Sequence, residues 1–146
     1  MRYYFLVLFL LFSGCSYKTT PIIFGFKKDN LAINDQGFLK ENNFYKTIEV
    51  YSVGQLIFVM KIDKNSICIN GKCYDKRIFI YNLNSNYPLN LFDLIISKQK
   101  LPNLKYYKTK DGFIQKDDKI FYLVTNNKVL FKDKNKKFIF LIKAIE

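Results

Sequence analysis

A chain of 146 residues, 49% hydrophobic and 18% aromatic, holds enough apolar surface for one packed domain and too little length for two of ordinary size. Its 24 basic side chains against 12 acidic ones give a formal charge of +12, carried by lysine except at Arg2 and Arg77. Histidine is absent, which excludes Ser-His-Asp and Cys-His catalysis and the histidine zinc motifs; the scarcity of arginine argues against base reading in a nucleic acid.

Residues 1–14 read as a signal peptide. Met1-Arg2 is a short basic start, and residues 3–12 (YYFLVLFLLF) form an apolar run too short to span a bilayer. Ser13-Gly14-Cys15 follows, with small residues before a cysteine. This arrangement resembles the bacterial lipobox, with Phe12 where leucine is commonest and Leu11 one place earlier. The resemblance implies cleavage before Cys15 and acylation of its thiol. Each buried methylene contributes about 0.8 kcal/mol, so several attached chains would anchor the protein permanently. Ser16, where aspartate would retain such a protein in the inner membrane, implies an outer-membrane location facing the periplasm.

Residues 15–30 read as the lipidated N-terminus and a tether, punctuated by Pro21 and Gly25 and ending in Lys27-Lys28-Asp29-Asn30. Residues 31–146 then form a single β-rich domain. Residues 44–51 alternate in character as a half-buried strand does. A turn at 52–54 leads to a more fully buried strand at 55–62, and residues 66–69 open the next.

Asn70-Gly71 is the strongest two-residue hairpin signal in the chain. With that loop Ile69 pairs with Lys72, and Cys68 faces Cys73 at a non-hydrogen-bonded position, where Cα atoms approach to about 4.5 Å. A structural disulfide contributing about 2 kcal/mol is favoured over free thiols. A redox motif needs a closer spacing, and a metal site needs more ligands than two cysteines.

A short helix around 77–82 precedes a stronger one that starts at Pro88. Its face is Leu91, Phe92, Leu94, Ile95 and Ile96, and Pro102 marks the stop. Three strands close the chain at 119–125, 128–132 and 137–145, joined by turns at 126–127 and 133–136. The fold class expected is α+β and β-rich: a curved antiparallel sheet or half-barrel with one or two covering helices.

No catalytic constellation is present. Asp117-Asp118 sit between lysines in a turn, not across a cleft, and no glycine-rich phosphate loop exists. The expectation is a protein that is not an enzyme, with no cofactor, no metal and no nucleic-acid partner.

A strand hairpin, then Asn86-Tyr87-Pro88-Leu89 leading into a helix, then Asp111-Gly112-Phe113 and a closing run of strands resembles the order in LolB-type outer-membrane lipoprotein receptors. The similarity covers roughly residues 46–145. The chain as a whole also looks like the small lipoproteins of AT-rich Gram-negative bacteria such as campylobacters. The LolB resemblance implies a half-barrel covered by helices around an apolar cavity, which receives lipoprotein acyl chains from a periplasmic carrier. Alternate residues of the most apolar strands would then line the cavity: Phe58, Met60, Phe138, Phe140 and Ile142, with Leu91 and Ile95 on the helix. Tryptophan is absent, and the 51–55 connection is short where the family has a long loop with an apolar tip. The alternative is a filled core, in a structural or interaction lipoprotein of the envelope without a lipid cavity.

Overall fold

A computed structural model describes residues 17–145; the expected signal peptide and the expected lipidation site Cys15 lie outside them. Among these residues eleven strands and two helices follow one another as β1 (Lys18–Lys28), β2 (Leu31–Glu41), β3 (Lys46–Ser52), β4 (Gln55–Ile62), β5 (Ser66–Ile69), β6 (Lys72–Asp75), α1 (Lys76–Leu83), α2 (Leu91–Ile96), β7 (Lys105–Thr109), β8 (Gly112–Lys116), β9 (Ile120–Thr125), β10 (Lys128–Asp133) and β11 (Phe138–Ala144). All strands join one open sheet in the order β6-β5-β4-β3-β2-β1-β11-β10-β9-β8-β7. Every pairing is antiparallel.

The topology is two meanders, β1–β6 and β7–β11, fused where the first strand pairs with the last. Ile22 lies opposite Ala144 and Phe26 opposite Phe140. Both helices fall in the connection between the two edge strands, β6 and β7.

The segment expected to be a tether is instead β1, at the middle of the sheet. Its buried side chains Ile22, Phe24 and Phe26 alternate with Ile23, Gly25 and Lys27, but the continuous run IIFGF hides that period from a sequence reading. Pro21 is tolerated because β11 begins to pair with β1 only at Ile22.

Two strands, β2 and β3, separate β1 from β4, which in a flat sheet would place them about 14 Å apart at some 4.8 Å per step. Yet the rings of Phe24 on β1 and Phe58 on β4 have centroids 5.7 Å apart. The sheet therefore bends sharply between them. Gly37 on β2 lies at the bend, opposite Ile22 on one side and Val50 on the other. A Cβ on Gly37 would overlap the Glu49 carbonyl oxygen, and one on Gly112 would overlap that of Val124. Glycine at these two positions lets neighbouring backbone occupy the space of a side chain.

The inner face gathers a core rich in phenylalanine. Phe92 of α2 packs on Phe140 and Phe138 of β11, with centroids 5.2 and 6.3 Å away. Polar groups hold both helices in place. Asp75 caps α1 by accepting from the Arg77 and Ile78 N–H groups. Lys76, 5% exposed, reaches Asp93 of α2 at 2.6 Å and the Asp63 carbonyl at 2.9 Å.

Helix α2 is shorter than its apolar face suggests and does not begin at Pro88. Pro88 instead belongs to a turn whose carbonyl accepts from Leu91 N–H, and Asn90 is the N-cap. The helix ends at Ile96 with Ser97 as its C-cap; Lys98 beyond it takes a left-handed φ of 56° while Gln99 N–H closes back on the Leu94 carbonyl.

Candidate functional site

Among the described residues a recess with an aliphatic wall opens on the inner face. It measures about 400 Å3 and opens beside the start of β1, between the sheet and the end of α2. Ile22, Leu39, Val129, Ile142 and Ala144 form its sheet wall and Ile96 its helical wall. The register explains why they meet. Ile22 pairs with Ala144, Ile142 with Val129, and Leu39 with Thr20, so strands β2, β1, β11 and β10 each turn small or aliphatic residues to the same place. Lys18, Thr20, Glu41, Ser97, Lys98 and Asn127 complete its lining.

Of the cavity-wall residues expected from sequence, Ile142 lines this recess. Phe58, Met60, Leu91, Ile95, Phe138 and Phe140 belong to the same core and do not line the recess. Around them the rings are in mutual contact: Phe24 meets Phe140 edge-on at 5.3 Å, and Phe26 meets Phe138 at 5.6 Å. Aromatic side chains thus fill the centre of the inner face, and the open space lies at the end where the side chains are aliphatic. The walls missed from sequence, Ile22, Leu39, Ile96, Val129 and Ala144, required recognition of β1 and of its pairing with β11.

Buried polar groups tie down the segment that follows α2. Gln115, 2% exposed, accepts from Leu101 N–H at 2.7 Å and donates to the Leu101 carbonyl at 2.9 Å, as a strand backbone would. Tyr122 donates to the Gln99 carbonyl at 2.9 Å, and its burial raises the phenol pKa. Asp133 is 2% exposed and accepts from the Tyr87 hydroxyl and the Asn84 amide. Burial alone would raise the Asp133 pKa. Tyr87, Asn84 and the Lys136 and Asn135 N–H groups outweigh it and hold the carboxyl below its ordinary value. Each of these groups fastens one element to another, and none faces the recess.

Cys68 and Cys73 form a disulfide, opposite one another across a turn in which Asn70 and Gly71 have φ of 48° and 83°. Asn70 also binds the neighbouring strand: its side-chain oxygen accepts from Val59 N–H, and its own N–H donates to the Val59 carbonyl. The β3–β4 turn is as short as expected, but its tip is apolar. Val53 is fully exposed there, at a left-handed φ of 50° that β-branched residues rarely adopt.

Among the described residues no group of three His, Cys, Asp or Glu side chains is placed to hold a metal ion, and no helix is long and apolar enough to cross a membrane. No protein-family model and no curated protein sequence matches the chain.

Proposed function

We propose that this is a lipid-anchored envelope protein of the LolB-like kind, whose domain takes an acyl chain in the recess between Ile22, Leu39, Val129, Ile142 and Ile96. The recess is the observation that carries the reading: a space within the roughly 300–1,000 Å3 range of small-molecule sites, with buried aliphatic side chains on one side and Lys18, Thr20, Glu41, Ser97, Lys98 and Asn127 completing its lining. Three further features support it. The sheet is open and bent, as a half-barrel is, and both helices join its two edge strands and pack their apolar side chains into the core. Lys18 lines the recess and lies three residues after Cys15 in the sequence. The β3–β4 hairpin presents Val53 as an exposed apolar tip.

In this reading nothing is catalysed. Cys15 supplies the membrane anchor, outer-membrane placement follows from Ser16, and the ligand is an acyl chain of a lipoprotein delivered by a periplasmic carrier.

Ligand response tests it. A form beginning at Ser16 contains every strand, both helices and the whole described core. It should bind a fluorescent fatty acyl probe saturably and release it to an acylated peptide. Ile142→Phe should weaken probe binding at little cost in stability, because it fills open space. Met60→Phe, at a fully enclosed site, should cost about 1–3 kcal/mol by overpacking. Absence of saturable binding, with Ile142→Phe as destabilising as Met60→Phe, would leave a structural lipoprotein as the account.

A further inference from the structure

The outer face of the sheet carries a pattern that the inner-face reading does not use. One row runs across six strands through directly paired residues: Gly25, Leu141, Leu130, Leu123, Ile114 and Tyr107. The aliphatic members are half-buried and Tyr107 is exposed, with both helices on the opposite face. The paired rows on either side carry lysines, with Ile139 and Phe121 between them on one flank and Ile23 beside them on the other. Lys27, Lys132, Lys116 and Lys105 lie along one flank, and Lys143 and Lys128 along the other.

No outward position of these six strands is acidic. The ion pairs among the described residues involve other cations, Lys28, Lys40, Lys46, Lys76 and Arg77. Gly25, having no side chain, leaves a groove of about 470 Å3 over the middle of the face, with Leu130, Leu141 and Ile139 as its floor and Lys27, Lys128 and Lys132 at its edge.

We infer that this outer face docks on an anionic lipid surface, with the Leu141–Ile114 row at the level of the acyl-chain boundary and the six lysines among the phosphates. Charge selects the occupant. Lysine stems extend along apolar surface while their ammonium groups reach outward, and an apolar strip between two lysine-bearing rows matches the layering of an anionic bilayer interface. A protein partner offering only an apolar patch would leave six like charges unmatched. The inference does not depend on acyl binding in the recess, which opens on the other face.

The form beginning at Ser16 tests docking without the anchor. It should sediment with vesicles of phosphatidylglycerol and phosphatidylcholine and not with phosphatidylcholine alone, and salt should release it. The triple variant Lys116→Gln, Lys128→Gln, Lys132→Gln should partition more than about tenfold less. The control triple Lys64→Gln, Lys72→Gln, Lys134→Gln, at exposed turn and edge positions, should lose much less. Leu130→Asn should weaken binding while leaving its dependence on anionic lipid intact. Equal losses in the two triples would show that net charge alone drives the interaction, and would overturn the assignment of a face. Failure to bind anionic vesicles, or concentration-dependent self-association that Leu130→Asn abolishes, would overturn the lipid surface as occupant. Probe binding by the recess is read separately and stands or falls without it.

Discussion

Phe24 and Phe58 have ring centroids 5.7 Å apart although two strands lie between theirs in the sheet. That contact measures the bend on which the inner core depends, and it identifies the position where the bend is made. Gly37 lies between the strands of the two rings, where any side chain would collide with the Glu49 carbonyl.

Gly37→Ala should therefore destabilise the domain by an amount on the order of 3 kcal/mol or more, because the obstruction is backbone and cannot rotate away. Gly54→Ala is the comparison, since a Cβ there meets nothing within 4 Å but the φ of 77° is strained; it should cost about 1 kcal/mol. Urea unfolding of the two variants checks the order. Equal costs would mean that the bend does not require a bare backbone at Gly37.

Asp133 sets an acid limit. Its folded pKa lies below the ordinary carboxylate value, so its contribution is complete above the unfolded pKa and is lost as pH falls through the folded one. Asp133→Asn should cost about 1–3 kcal/mol at neutral pH, where it weakens the bonds to Tyr87 and Asn84. It should also flatten the dependence of stability on pH below about 4. Melts of wild type and variant that stay parallel down to low pH would remove Asp133 from the acid transition.

The Cys68–Cys73 bond closes a small loop in a hairpin already specified by Asn70-Gly71 and held by Asn70 on β4. Reduction, or Cys68→Ser with Cys73→Ser, should cost no more than about 2 kcal/mol and leave the fold intact. Loss of the folded state on reduction would show that the bond sustains more than its own hairpin. Non-reducing mass spectrometry of exported protein should recover the linked peptide.

Cys15→Ala should leave a precursor that takes up no palmitate label and does not enter the detergent phase. Palmitate labelling of this variant at mature size would end the lipobox reading.

Several elements are legible from residue order because their determinants are local. Gln55–Ile62 and Ser66–Ile69 are strands over the residues expected, and the Asn70-Gly71 turn brings Cys68 opposite Cys73. Each follows from alternation or turn chemistry within a few neighbours. Helix α1, a faint signal around 77–82, owes its start to the Asp75 cap.

β1 is different. Its apolar run, its proline and its glycine read equally as a tether, and it becomes the central strand only because β2 and β11 pair with its two edges. That pairing joins residues more than a hundred positions apart, as Ile22 with Ala144, and no short-range pattern encodes it. The recess follows from the same long-range event. Ile22, Leu39, Val129 and Ile142 are ordinary apolar strand residues until register brings them together. Sequence alone determined the alternation, the turns and the chemistry of single residues, because those depend on a side chain and its nearest neighbours. Only the tertiary structure decided where aromatic rings fill the core and where aliphatic walls leave it open, because packing depends on which distant strands share a face.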